Sequence, residues 1–192
     1  MTLAPKSSSR MNKADWIEAA MRLLVEGGPE ALRVDRLCLA LGITKGSFYW
    51  HFASRDALIE AMAADWAERR PAAALAEAEQ SGTTPAERLD HLAQGFWRDD
   101  IVQYDAAMRA WGVSEPRIRA AIETTDRQIT AYVQSQFEAM GATPAEARAR
   151  ALILFYCSIG ISAAPYLLDK TGSDVLGRMN ELMTGQANAG SE

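Results

Sequence analysis

The chain has 192 residues, 48% of them hydrophobic and 23% charged, with a formal net charge of −5. That is enough apolar material for one ordinary domain or for a small head on a larger body, and it excludes wholesale disorder. The sequence is rich in Ala, Leu, Met, Glu and Arg and lacks runs dense in Val, Ile and Thr. An all-α fold is therefore expected and a large sheet is not.

A net negative charge taken alone argues against a nucleic-acid partner, but the charge is unevenly placed. Residues 1–55 carry eight Lys or Arg against five acids, a balance of +3, which leaves −8 for the remainder. A mildly basic head on an acidic body fits a protein that sets one end on a polyanion. Cys38 and Cys157 have no metal-type spacing and suit a reducing compartment. Residues 1–12 are polar and lack the apolar centre of a secretion signal. The apolar stretch Ala151–Leu168 is interrupted by Ser158, Ser162 and Pro165. It reads as a buried or interface helix, so no membrane is expected as a partner and a cytoplasmic location is.

In chain order, residues 1–11 read as a flexible arm. Asn12 caps a helix to about Glu26, stopped by Gly27-Gly28-Pro29, with Trp16, Ile17, Ala20, Leu23 and Leu24 on one face. A short helix from Val34 to Leu41 buries Val34, Leu37, Cys38 and Leu41 and breaks at Gly42. Thr44 is placed to cap a third helix from Lys45 through Trp50, and Ser54 caps the next, which ends near Arg69-Arg70-Pro71. Helix, glycine turn and short helix make a helix-turn-helix pattern. Beyond it, Thr84-Pro85-Ala86-Glu87 and Thr143-Pro144-Ala145-Glu146 are capping boxes with Pro at the first helical position. Body helices are expected at about 72–80, 85–98, 101–112, 115–140, 144–168 and 173–184. The division is 1–11 arm, 12–53 helix-turn-helix domain, 54–70 connecting helix and 71–192 body.

The stretch Leu41–Asp56 reads L-G-I-T-K-G-S-F-Y-W-H-F-A-S-R-D. Gly42 permits the tight turn, and Gly46 lets backbone approach either a partner helix or a DNA strand. Phe48 and Phe52, four apart, share an inward face, which turns Lys45, Tyr49 and Trp50 outward. This run resembles the recognition region of the TetR family in its glycine, aromatic and cap positions. The resemblance covers about residues 12–66, with Ala19, Ala20, Leu23, Leu24 and Gly27 matching the family's first helix. It implies that Tyr49 and His51 contact phosphates and that Lys45 touches DNA. Thr44 and Ser47 are further candidates for phosphate or base-edge contacts, at a helix start that would itself attract phosphate. Arg55 stands where the family usually has Lys and is expected to clamp a phosphate. Arg33 replaces the family's Ser or Thr cap and offers a charged phosphate contact instead. Trp50 is bulkier than the usual residue and bears on which operator is read.

Beyond Trp66 the resemblance weakens. It implies a homodimer whose last two long helices, here about 144–168 and 173–184, pair with the partner's. Ala147, Ala151, Leu154, Phe155, Ser158, Ile159 and Ser162 form the apolar, small-residue face expected to carry that contact. Twofold symmetry would match a palindromic double-stranded operator, with recognition helices about 34–36 Å apart. The aromatics of the body suggest a pocket for a largely apolar small-molecule effector, and Trp97, Tyr104, Met108, Trp111 and Phe155 are its candidates. Asp105 and Arg109, one turn apart, read as an exposed ion pair rather than a ligand anchor.

The expected function is a DNA-binding transcriptional regulator, a repressor released by its effector. An activator of the same fold, or a helical ligand-binding module without DNA binding, is the alternative. No enzyme is expected: His51 and His91 are the only histidines, and no nucleophile elbow, phosphate loop or metal-ligand pair appears. No cofactor or metal is implied.

Overall fold

The computed structural model describes residues 11–97, 101–164, 178–179 and 181–184. Among them there is no strand. The chain divides into two compact units, residues 1–62 and 63–192.

In the first unit, α1 (Lys13–Gly27) begins at a reciprocal capping box. The Asp15 N–H donates to Asn12 Oδ1 at 3.1 Å, and the Asn12 N–H donates to the Asp15 carboxylate at 2.9 Å. The helix stops at Gly28, whose φ of 65° only glycine adopts readily. A single 3-10 turn, Pro29–Ala31, then leads to α2 (Val34–Leu41). Gly42 ends α2 in the left-handed region (φ 67°, ψ 32°), and the Ile43 N–H returns to the Cys38 carbonyl at 2.9 Å. The turn into α3 (Lys45–His51) therefore needs glycine. Ser54 caps α4 (Arg55–Ala64), accepting from the Ala57 N–H at 3.1 Å. The core is aromatic and aliphatic: Trp16 meets Phe48 edge-on at 5.3 Å, Phe48 lies 5.5 Å from Phe52, and Leu24, Leu37, Leu58, Ile59 and Met62 are sealed around them.

The expected stop at Arg69-Arg70-Pro71 does not occur. A π turn, Asp65–Arg69, follows α4 directly and runs into α5 (Arg70–Ser81). The Arg70 N–H reaches back to the Asp65 carbonyl, and the next residue, Pro71, has no N–H to offer the Trp66 carbonyl. Thr125 fills that gap, its hydroxyl donating to the Trp66 carbonyl at 2.7 Å. Proline is tolerated inside the helical path because another helix satisfies the carbonyl it orphans.

The remaining body helices are α6 (Pro85–Trp97), α7 (Ile101–Gly112), α8 (Pro116–Ala139) and α9 (Pro144–Ala163). Both expected capping boxes are present, at Thr84/Glu87 and Thr143/Glu146. Glu115 caps α8 through its side chain. A core of Leu89, Val133, Phe137, Ala147 and Ala151 joins α6, α8 and α9, with Leu154 against it. Ala147 and Ala151 are fully buried there. This corrects the reading of the small-residue face as a surface for a second subunit. Small side chains let α9 approach α8 within one chain, and the exposed apolar side of α9 is the one bearing Ile153 and Tyr156. The arm at 1–10, the end of the expected helix at 144–168 and half of the one at 173–184 lie outside the described residues; 178–179 and 181–184 are helical. Among the described residues no helix is long and apolar enough to cross a membrane.

Candidate nucleic-acid interface and ligand cavity

α3 is short, and its two faces differ sharply. Phe48 is wholly buried and Phe52, just past its end, nearly so, which anchors the helix to the head core. Tyr49 is 57% and Trp50 68% exposed, a large aromatic surface to leave in water. Lys45 and Gly46 are exposed beside them and Ser47 is half-buried. His51 is half-buried, edge-on to Trp50 at 4.7 Å and 6.2 Å from Trp16. The outward set Lys45, Tyr49 and Trp50 is therefore brought together as the spacing implies.

Thr44 and Arg55 behave differently from expectation, whereas Arg33 is the exposed, non-capping charge expected. Thr44 occupies the N-cap position in extended backbone, but its hydroxyl caps nothing; the first turn closes through the Ser47 N–H and the Thr44 carbonyl at 3.0 Å. Arg55 is not held ready for a phosphate. Its Nε donates to the Leu32 carbonyl at 2.6 Å and an Nη to the Pro29 carbonyl at 2.9 Å, pinning the α1–α2 connection. The Pro29 carbonyl also accepts the Leu32 N–H at 3.2 Å and has a second lone pair for Arg55, and a planar cation with several N–H groups can serve two carbonyls at once. Arg33 precedes α2 without capping it and pairs at 3.8 Å with Asp35, both well exposed.

Gly46 separates its two sequence readings. A Cβ built on it meets only Thr44 Oγ1, at an unstrained 3.7 Å. Packing against the head thus places no demand for glycine there. Cys38 is buried in the core as a small hydrophobe, and burial pushes its thiol up, away from reactivity.

The second unit contains a cavity of about 230 Å³. Its wall is mostly carbon, with Trp66, Phe96 and Phe155 as aromatic panels and Leu89, Ile129 and Val133 among the aliphatic ones. Of the five expected effector contacts, Phe155 lines it. Tyr104, Met108 and Trp111 do not: they are buried in the core along one stripe of α7, whereas Ile101, Asp105 and Arg109 form the stripe that meets the cavity. The aromatic run marked α7 correctly as an inward helix, but periodicity does not say which inward face borders empty space. Nothing is described for the side chain of Trp97.

The polar side of the cavity overturns the reading of Asp105 and Arg109 as a surface pair. Asp105 is 4% exposed. Arg109 donates from Nε to Asp105 at 2.8 Å and, through both Nη atoms, to the two oxygens of Asp126 at 2.9 and 2.8 Å. Its guanidinium also lies 5.9 Å from the Phe155 ring centroid. Burial is the main influence on the Asp105 carboxyl and raises it above its ordinary value, opposed by the Arg109 hydrogen bond and charge and by Ser162. The two carboxylates in turn push Arg109 up against the effect of its burial. Arg70, at another edge of the cavity, pairs with the buried Asp65 at 2.8 Å and lies over Trp66 and Tyr104 at 5.9 and 5.4 Å. Arg69 also pairs with Asp65. Sequence spacing gave the Asp105–Arg109 half of this arrangement; Asp126, seventeen residues on, joins it only through the packing of α7 on α8. No group of three or more His, Cys, Asp or Glu among the described residues is placed to hold a metal ion.

Residues 17–62 match the family described as bacterial regulatory proteins, tetR family. The tetracycline repressor protein class D of Escherichia coli is 37% identical over 57 residues, which cover 30% of this chain and 26% of that protein. The chain thus spans about a quarter of the length of the curated relatives that it matches at this level of identity. The class C protein of Escherichia coli is 26% identical over 183 residues, 94% of this chain and 70% of that protein. Among solved structures, the TetR transcriptional regulator from Legionella pneumophila shares 14% identity and aligns with a TM-score of 0.73, covering 95% of this chain and 98% of that one. That last likeness is one of fold.

Proposed function

We propose that this chain, whose residues 17–62 match the bacterial regulatory proteins of the tetR family, is a DNA-binding transcriptional regulator of that family, a dimeric repressor released from a palindromic operator by a small molecule. The observation that carries the reading is the exposed Lys45–Tyr49–Trp50 face on a helix anchored from behind by Phe48 and Phe52. In this reading Lys45 and Tyr49 meet the phosphate ridge and fix register, and Trp50 contacts a base edge or sugar. Thr44, Ser47 and His51 extend the phosphate contact, Gly46 is where a DNA strand comes close, and Arg33 supplies an outlying charge. Arg55 acts indirectly, holding the turn before α2.

Dimerisation uses the outer side of α9, where Ala149, Ile153, Tyr156, Gly160 and Ala163 recur at helical spacing and are exposed in the single chain. An apolar stripe of this kind suits a twofold contact. The cavity receives the effector. The helical path from α4 runs without interruption into the π turn and α5, which contribute Trp66, Arg70 and Ala74 to the cavity wall. An effector that prefers one arrangement of this path releases DNA by differential affinity; turning a 1:99 population to 99:1 takes about a 10⁴-fold preference.

A reporter gene placed behind the chain's own selected operator tests the sign of regulation. Expression that falls when the protein is supplied, and recovers on adding a cavity ligand, is the expected result. Expression that rises on supplying the protein makes it an activator instead.

A further inference from the structure

We propose that the cavity ligand is a small, largely apolar molecule carrying one positive charge, an amine or ammonium compound, drawn to the Asp126–Asp105 side of the cavity. The inference rests on the reading of this cavity as the effector site and adds the ligand's charge.

The argument is one of charge balance in a place where water does not screen it well. Arg109 is shared between two carboxylates, Asp105 and Asp126, so with both ionised the cluster carries one negative charge in excess. Arg70 does not cancel it, because it is already paired with Asp65, itself buried. Arg69, the second partner of Asp65, has more than half its side chain in solvent. The excess charge is poorly solvated: Asp105 is buried, and burial destabilises its ionised form. A ligand cation supplies the missing charge.

The geometry fits. Asp126 is the more accessible carboxylate, with 24% of its side chain exposed against 6% for Asp105. Each Asp126 oxygen accepts one N–H from Arg109 and keeps further acceptor capacity. Thr130 and Ser158 also line the cavity, and a hydroxyl can accept from an ammonium group even while it donates, as that of Ser158 does to the Phe155 carbonyl. Aromatic walls suit the same ligand, since ring faces attract cations. Two of them already do so: Arg70 lies over Trp66 and Arg109 over Phe155. The carbon-lined remainder takes the apolar body of the molecule. An anionic ligand would meet the uncompensated carboxylate, and both arginines that border the cavity are already engaged by carboxylates.

Three probes that share one skeleton and differ in charge test this on the full chain at neutral pH: 4-phenylbutylammonium, 4-phenylbutan-1-ol and 4-phenylbutyrate. Binding is followed by calorimetry and by tryptophan fluorescence. The ammonium is expected to bind at least tenfold tighter than the alcohol, and the carboxylate most weakly. In Asp126→Asn the ratio of ammonium to alcohol affinity is expected to fall towards one. Binding of the alcohol or the carboxylate as tight as that of the ammonium overturns the charge assignment and leaves the cavity a ligand site. A preference for ammonium that survives in both Asp126→Asn and Asp105→Asn also overturns it, because the cation is then held elsewhere. Binding by none of the three overturns the cavity reading itself. The charge series on the unaltered protein decides the matter even where an Asn variant does not fold.

Discussion

The hydroxyl of Thr125 on α8 donates to the main-chain carbonyl of Trp66 at 2.7 Å, on the π turn that joins α4 to α5. Trp66 needs this bond because the residue that would have served its carbonyl is Pro71. Replacing Thr125 by Val keeps the shape and leaves the carbonyl unpaired. The expected cost is about 1–3 kcal/mol in denaturant unfolding. Pro71→Ala restores a main-chain donor, so the cost of Thr125→Val should be smaller in that background. Equal costs in both backgrounds would contradict the account of the turn.

Arg55 binds the carbonyls of Leu32 and Pro29 rather than standing free. Arg55→Ala is expected to destabilise the head by about 1–2 kcal/mol, reduced from the full value of charge-assisted bonds because the site is partly in solvent. Amide exchange should quicken around residues 28–37. Loss of DNA affinity with unchanged exchange there would return Arg55 to the role of a phosphate clamp.

Gly46 has room for a methyl group within the protein. Gly46→Ala should therefore keep or slightly raise the melting temperature, since alanine favours helix. Operator affinity should nevertheless fall, because the methyl group meets DNA. Lys45→Ala should weaken binding to all sequences and lower the slope of log K against log salt by about 1. Trp50→Ala, by contrast, should change which bases are preferred.

Asp105 is raised above its ordinary value in the folded chain. The folded protein thus holds the proton more tightly than the unfolded one. Its contribution to stability is fully present below the unfolded value of about 3.9 and is lost as pH rises through the higher folded value. Relative to Asp105→Asn, the wild-type chain should gain stability as pH falls from neutral through that window, read from denaturation midpoints at several pH values. The opposite slope would mean that Arg109 outweighs burial. Arg109→Met leaves two unpaired carboxylates, and a loss of about 3–5 kcal/mol is expected, smaller when Asp105 is already Asn.

The helices of the head were legible because each boundary rests on local chemistry: Asn12 and Ser54 cap, and Gly42 turns. The inward pair Phe48 and Phe52 followed from spacing alone and fixed the outward face. What sequence missed depends on contacts between distant segments. Thr125 carries α5 past Pro71 from 59 residues away. Asp126 turns a local ion pair into a buried cluster. The stripe Ala147–Ala151 looked like a surface for a second subunit because small residues allow close approach to any helix, and here the helix is α8 of the same chain. Tyr104, Met108 and Trp111 were rightly inward but on the wrong side of α7 for the cavity.

The most direct measurement is selection from random duplex DNA at physiological salt, followed by sequencing of the bound fraction. The account predicts a palindromic consensus with half-sites about one helical turn apart, bound by the unaltered chain and lost in Lys45→Ala and Tyr49→Ala proteins that remain folded. Failure to enrich any sequence, or a consensus that the Tyr49 and Lys45 variants bind as well as the wild type, would contradict it.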